Sequence, residues 1–389
     1  MEITLAKKLT TAQIWALSVG MVISGQYFGW NYSLLNNNIS DIIIALTLVI
    51  IFYSGFMFIY TKLAIDSQSS GGIMAYIEAT QKPRLALMAG MIALAEFFFA
   101  VAAIAIATGA YLHQIIPFIP PKTLSYICLI IITSINVKGI SESITLEMIT
   151  TVLAFSGLIF FTIITTNSHE ITTLQSQFHL PETSHVLTAI PFLLWLFLGI
   201  EGSVLASQEC IDPHKNLPRA IKLAMITLTI TAALTVIQTE LVNPHHLDMN
   251  NPLPSVLTLT HKPAWEIVSI SILGSCGLLA SFNGLLIAAS RQLYGIAQRF
   301  PHLLLINQLN GKKATQQCLI ILAVLCAIAI NIIPSKQLLR LSICGALCIY
   351  LLGSLTCLYN IHSRHTAKKS MFIPLITLTL CILFIVVTV

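Results

Sequence analysis

Apolar runs long enough to cross a membrane recur from one end of the chain to the other, each bounded by polar residues, proline or glycine. A helix rises 1.5 Å per residue, so about 20 apolar residues traverse a hydrocarbon core of ~30 Å. On this basis the pattern predicts eleven spans, at about 12–34, 41–61, 86–116, 123–137, 145–166, 187–207, 219–242, 266–296, 317–334, 340–360 and 371–389. The third and eighth runs exceed what a perpendicular helix needs and are expected to tilt or protrude. Composition points the same way. With 56% hydrophobic and 9% charged residues among 389, the chain is too apolar for a domain with a water-facing shell. Residues Met1 to Thr11 carry Lys7 and Lys8 and lead into the first run without an Ala-x-Ala cleavage site. They therefore read as the start of a retained first span, not as a signal peptide.

The distribution of charge predicts an orientation. With the N-terminus inside, Lys7, Lys8, Lys62, Lys82, Arg84, Lys138, Lys215, Arg219, Lys222, Arg291, Arg299, Lys312, Lys313, Arg364, Lys368 and Lys369 fall on the cytoplasmic side. Only Lys122, Lys262, Lys336 and Arg340 fall outside, so 16 of the 20 Lys and Arg obey the positive-inside rule. A bacterial-type inner membrane with a cytoplasmic N-terminus is expected. The formal charge of +5 does not suggest nucleic acid, because the basic residues never form a block with interleaved aromatics. The nine cysteines are scattered without a CxxC pair, and no cofactor is implied. His245, His246 and Asp248 lie close together but lack a further ligand at defined spacing, so a solvated loop is expected and no metal. There is no P-loop, no HExxH and no GxSxG, which excludes ATP-driven pumping by this chain and the common membrane proteases. The chain is not expected to be an enzyme.

Spans one and six run in opposite directions and carry the same interruption. The first reads Val22-Ile23-Ser24-Gly25-Gln26-Tyr27-Phe28-Gly29-Trp30-Asn31, the sixth Trp195-Leu196-Phe197-Leu198-Gly199-Ile200-Glu201-Gly202-Ser203. Glycine and small polar residues at mid-membrane in corresponding helices point to broken helices flanking a central binding site. Splits are expected near Ser24–Gly25 and Leu198–Gly199. Unwound backbone would offer N–H groups to a carboxylate or hydroxyl and C=O groups to an ammonium. The bland alternative is that Gly25 and Gly29 form a GxxxG packing pair.

Glu96 in the third span and Glu201 in the sixth would each cost about 2.5–3.5 kcal/mol if charged at the bilayer centre. Both are candidates for proton coupling or gating, and the alternative is a neutral acid hydrogen-bonded to a neighbouring helix. Glu147, near the end of the fifth span, reads as interfacial. Trp195 and Phe197, with Phe97, Phe98 and Phe99, offer faces to an organic cation. Asn283 would reach either a polar group of the solute or a neighbouring helix backbone.

Together with Gly71-Gly72-Ile73-Met74-Ala75-Tyr76, Asn136-Val137-Lys138-Gly139 and Gly199-Ile200-Glu201 followed by Glu209-Cys210-Ile211-Asp212-Pro213-His214-Lys215-Asn216-Leu217-Pro218-Arg219, the first break resembles the amino acid–polyamine–organocation superfamily over nearly the whole chain. The SGxYFGWN string and the run from Glu96 to Ala105 most resemble the ethanolamine permease branch. The resemblance implies an all-α membrane protein with a leucine-transporter-like five-plus-five inverted repeat. The first repeat would cover 1–166, the second 187–360, with an additional helix at 371–389. It further implies a secondary active transporter of a small amine-bearing solute, an amino acid or an ethanolamine-like amine, working by alternating access with protons or by exchange. A degenerate transporter that binds without translocating is the alternative. By motif position Ser24, Gly25, Gln26, Trp195, Phe197, Leu198 and Asn283 would contact the solute. Glu201, with Glu96 second, would carry the proton or gate. Glu78, Lys138 and Arg219 would latch the inner gate.

Three features depart from the pattern. Gln26 stands where the ethanolamine branch usually has an acid, which argues against a bare amine. Ala154 stands where many proton-coupled relatives have a lysine, and about eleven spans are read where twelve are common.

Overall fold

The computed structural model describes residues 9–35, 37–67, 71–138, 140–166, 180–240, 247–299, 311–363 and 371–388. His245 and His246 lie outside them. Among the described residues eight helices are long and apolar enough to cross a membrane, and three further apolar helices are shorter.

The chain enters the bundle through α1 (Thr11–Val22), which begins with a reciprocal cap in which Thr10 accepts from the Gln13 N–H and the Gln13 side chain accepts from the Thr10 N–H. A short α2 (Ser24–Tyr27) and a 3-10 segment (Trp30–Leu34) complete the first run. There follow α3 (Ile39–Ser67), the short α4 (Gly72–Glu78), α5 (Pro83–His113), α6 (Pro121–Lys138) and α7 (Ile140–Thr166). The sixth run is α8 (Thr183–Leu193) followed by 3-10 segments Leu194–Leu196 and Ile200–Glu209. After it come α9 (Pro213–Glu240), the short α10 (Pro252–Leu259), α11 (Ala264–Arg299), α12 (Gly311–Ile332), α13 (Ser335–Ser363) and α14 (Phe372–Thr388).

The long helices α5 and α11 are the axis of the bundle. They pack on one another, α5 also takes α13 and α6, and α11 takes α7 and α1. Ala100 to Ala105 of α5 are all buried, five of these six being alanine or valine, so backbones approach closely at its middle. Large apolar side chains such as Ile51, Phe58, Ile130, Ile163, Ile230 and Val386 stay exposed on the outside, as a lipid-facing shell requires.

Each end of the bundle is tied. At one end, Leu9 pairs by two backbone hydrogen bonds of 2.9 Å with Glu209 and Ile211, Arg291 meets Glu209 at 3.5 Å, and Arg299 Nε meets Glu78 Oε2 at 2.6 Å. At the other, Asp41 accepts from the Glu182 N–H at 2.8 Å and faces His185. Lys336 lies over the rings of Tyr32 and Phe192, with Arg340 over Phe192.

Candidate functional site

The first run is interrupted twice. In an unbroken helix the Ser24 N–H would donate to the Gly20 carbonyl; instead the Ser281 hydroxyl of α11 stands between them, donating to Gly20 O at 2.6 Å and accepting from Ser24 N at 2.9 Å. An inserted side chain of this kind separates α1 from α2 without reversing the chain. The larger break is four residues on. Phe28 is extended and Gly29 takes φ +98°, a conformation open to glycine at little cost. The expected split at Ser24–Gly25 is therefore the minor one, and the chain turns at Phe28–Gly29. In the sixth run Phe197 leaves helical geometry and Gly199 has φ +94°, so the break falls across Phe197–Gly199.

The two interruptions press against each other. A Cβ on Gly25 would collide with the Trp195 carbonyl, and one on Gly29 would enter the Trp195 indole. The Gln26 side-chain amide donates to Leu196 O at 3.0 Å, Trp30 Nε1 donates to Gln26 O at 3.2 Å, and the rings of Phe28 and Trp195 meet edge-on at 5.7 Å. Neighbouring helices hold both breaks. Tyr27 donates to Ala154 O on α7 at 2.6 Å, Tyr111 of α5 donates to Tyr27 O at 2.7 Å, and Tyr53 of α3 donates to Leu194 O at 3.0 Å. Ala154 thus serves the site through its carbonyl.

At this junction two buried polar atoms have no partner, Gln26 Oε1 and Trp195 Nε1. An acceptor and a donor left unpaired in a buried site are costly unless a ligand meets them. Below the second break Glu201 accepts from the Tyr350 hydroxyl of α13 at 3.1 Å, and its carboxyl comes within hydrogen-bonding range of that of Glu96. A cavity of about 10 Å³, room for one water, lies beside Glu201 and is bordered by Tyr60, Gly72, Phe97 and Gln292.

The family model described as amino acid permease matches residues 9–389. The chain belongs to the amino acid permease family. It is 22% identical over 322 residues to the branched-chain amino acid permease BcaP of Lactococcus lactis subsp. cremoris, covering 75% of this chain and 68% of that protein. It is also 23% identical over 244 residues to an uncharacterized transporter of Rhizobium meliloti, covering 60% of this chain and about half (52%) of that protein's length. Among solved structures, MhsT in complex with L-phenylalanine superposes with a TM-score of 0.72 at 12% identity, over 98% of both chains. Mhp1, a nucleobase-cation-symport-1 family transporter, matches with a TM-score of 0.63 at 10% identity, over 100% of this chain and 94% of that one. A Na+-coupled sialic acid symporter matches at 0.62 and 14% identity, over 98% and 90%. The chain is thus a multi-pass membrane protein with the five-plus-five inverted-repeat fold and broken helices one and six.

Ser24, Gly25, Gln26, Trp195 and Phe197 come together at the junction, with Leu198 in the second break and Glu201 and Glu96 just below. Asn283 does not join them. Two residues past Ser281, and so on another side of the helix, it accepts from Asn136 Nδ2 at 2.8 Å and donates to Glu147 Oε2 at 3.5 Å. Glu147 is correspondingly not interfacial: only 2% exposed, it fills space left by Gly20 of α1 and Gly284 of α11. Of the phenylalanines in α5, Phe97 borders the cavity, whereas Phe98 and Phe99 pack edge-on against each other. Glu78 pairs with Arg299, Arg219 is exposed, and the side chain of Lys138 lies outside the described residues. Sequence reasoning missed Ser281, Tyr53 and Tyr350. The small polar run Ala280-Ser281-Phe282-Asn283-Gly284 drew attention to Asn283, while isolated tyrosines in apolar runs look like packing residues.

Proposed function

We propose that this permease is a secondary transporter of a neutral amino acid with an apolar side chain, working by alternating access at the junction of its two broken helices. The observation that carries the reading is the packing of the two broken runs on each other where Gly25 and Gly29 meet Trp195, with Gln26 Oε1 and Trp195 Nε1 left unpartnered beside it. A zwitterion matches that pair of atoms: its ammonium suits the acceptor and its carboxylate the donor. Gln26 in place of an acid makes a bare amine such as ethanolamine the poorer fit. The aromatic lining of Phe28, Trp195 and Phe197 favours an apolar side chain, in keeping with the names of the branched-chain permease and of the phenylalanine complex.

On this reading residues 1–166 and 187–360 are the two inverted repeats and 371–389 an added helix. The end holding Glu78, Glu209, Arg291 and Arg299 faces the cytoplasm of a bacterial-type cell, as the lysine and arginine distribution supports. Solute would enter from the Lys336 and Arg340 end by parting Gly25 from Trp195. Glu201 and Glu96 would couple that movement to a proton. Asn283 would act on the solute only through its neighbours.

The test is a thermal-shift titration of the purified protein against L-leucine, L-phenylalanine, ethanolamine and choline. Ligand stabilisation grows as RT ln(1 + [L]/Kd), so a millimolar binder raises the melting temperature at high concentration. Stabilisation by the amino acids and not by the amines is expected. The reverse order would assign the site to amines.

A further inference from the structure

Glu96 and Glu201 are 0% and 2% exposed, and their carboxyl groups reach one another. Neither oxygen of Glu96 has a hydrogen-bond donor, and the one side-chain donor to the pair among the described residues is the Tyr350 hydroxyl on Glu201 Oε2, with the backbone N–H groups of Gly199 and Glu201 beside the Glu201 carboxyl. The groups that face the pair are Tyr53 and Tyr60 from α3, with Tyr76 of α4 behind Tyr60, Tyr350 and Cys348 from α13, and the amide of Gln292 from α11 across the cavity. Among the described residues that face it there is no lysine, arginine or histidine. Two ionised carboxylates cannot share such a site, whereas one proton between them removes the repulsion and supplies the absent donor.

The tyrosines extend this arrangement to the second break. Tyr350 touches Glu201 Oε2 at 3.1 Å, the Tyr350 and Tyr53 hydroxyls lie 3.2 Å apart, and Tyr53 reaches Leu194 O at 3.0 Å. Three contacts are served by two hydroxyl hydrogens. When Glu201 Oε2 is bare, Tyr350 must donate to it, and the single hydrogen of Tyr53 is divided between Tyr350 and Leu194. When Glu201 Oε2 carries the proton, it donates to Tyr350, Tyr350 to Tyr53, and Tyr53 wholly to Leu194. Each of these three contacts then has its hydrogen, and the contact with Glu96 gains one only when the proton moves between the two carboxyls, so the two positions share a single proton.

We propose that Glu96 and Glu201 are one proton-binding unit, and that Tyr350 and Tyr53 are positioning residues that pass its state to the Leu194 carbonyl beside Trp195. The proton exchanges through the water-sized cavity at Gln292 and Tyr60. Gly72, at the start of α4, borders that cavity, and Glu78 at the end of α4 pairs with Arg299, so the route leads to the end assigned to the cytoplasm. The inference deepens the transporter reading and rests on it for the purpose of the proton, but its test involves no transport.

Infrared difference spectra of the full-length protein in lipid nanodiscs, recorded between acid and alkaline pH, detect protonated carboxyls directly. One titrating band is expected for the pair, and Glu96→Gln and Glu201→Gln should each change the frequency and move the midpoint of the band left by the remaining carboxyl. Tyr350→Phe should keep the band and shift its frequency. Hydrogen–deuterium exchange of the 194–199 segment, corrected for the intrinsic pH dependence, should follow the same midpoint in the wild type and lose that dependence in Tyr350→Phe and Tyr53→Phe. If Glu201→Gln does not fold, Glu96→Gln decides alone, since it either moves the Glu201 band or leaves it at the wild-type frequency and midpoint. Two bands, each unmoved by loss of the other carboxyl, no titrating band, or unchanged pH-dependent exchange in both tyrosine variants would overturn the proposal. Those outcomes leave the transporter reading standing, just as a failure of solute exchange would leave the spectra unchanged.

Discussion

The amide of Gln26 donates to the carbonyl of Leu196 at 3.0 Å and so ties the first broken helix to the second across the centre of the bundle. Its other terminal atom, Oε1, is left without a partner. One side chain therefore both closes the junction and offers an acceptor to a solute. Gln26→Leu removes both functions, and isothermal titration with L-leucine should show at least a tenfold loss of affinity, about 1.4 kcal/mol. Gln26→Glu should shift preference toward ethanolamine, because it restores an anionic acceptor. Equal affinity of all three proteins for L-leucine would move the ammonium site elsewhere.

The two positive-φ glycines of the breaks should differ in tolerance. A left-handed backbone costs an ordinary residue roughly 1–2 kcal/mol at either position. At Gly29 a Cβ would also enter the Trp195 ring, whereas at Gly199 it would meet the Leu285 Cδ2 at 3.0 Å, the far end of a side chain that can give way. Gly29→Ala should lower the melting temperature more than Gly199→Ala and abolish binding, while Gly199→Ala retains part of it. Equal effects would mean that the Trp195 contact is dispensable.

Ser281 supplies a comparable contrast within a single helix. Ser281→Ala leaves the Gly20 carbonyl and the Ser24 N–H facing each other without the bridging hydroxyl, a loss on the order of 1–3 kcal/mol for each buried group that stays unpaired. Ser271, ten residues earlier, bonds only to the Ile267 carbonyl of its own helix, which is already in the helical ladder. Ser271→Ala should be nearly neutral in a thermal melt and Ser281→Ala clearly destabilised. If α1 and α2 instead join into one continuous helix, Ser281→Ala will be stable but impaired in binding.

At the opposite end from Lys336 the backbone pairing of Leu9 with Glu209 and Ile211 covers Cys210, which is fully buried. Leu9→Pro removes the N–H that donates to Glu209. N-ethylmaleimide labelling of Cys210, followed by peptide mass mapping, should quicken several-fold. The Arg299–Glu78 pair is partly solvated, so its loss should cost under about 1 kcal/mol of stability. An unchanged Cys210 rate in Leu9→Pro would show that this strap is not part of the gate.

Much of this arrangement was legible in the order of residues, for physical reasons that can be named. Run length reports membrane crossing directly, so every apolar stretch read as a span holds helical structure. Gly199 marked its break because only glycine accommodates that φ readily. The first break was read four residues early, since Ser24-Gly25 looks as permissive as Gly29 until Ser281 is known to bridge the helix there. Contacts between distant spans leave no local mark. Nothing near Tyr350 indicates that its hydroxyl meets Glu201, and nothing near Glu147 indicates that Gly20 and Gly284 make room for it.

Counterflow of radiolabelled L-leucine in proteoliposomes tests the central claim most directly, because it requires the junction of the broken helices both to bind and to open toward each side in turn. The wild-type protein should accumulate label against unlabelled L-leucine inside, and Gly25→Leu, whose side chain would fill the space at the Trp195 carbonyl, should show none at equal reconstitution. Full counterflow in Gly25→Leu would place the pathway elsewhere, and binding without any counterflow in the wild type would make the chain a receptor rather than a carrier.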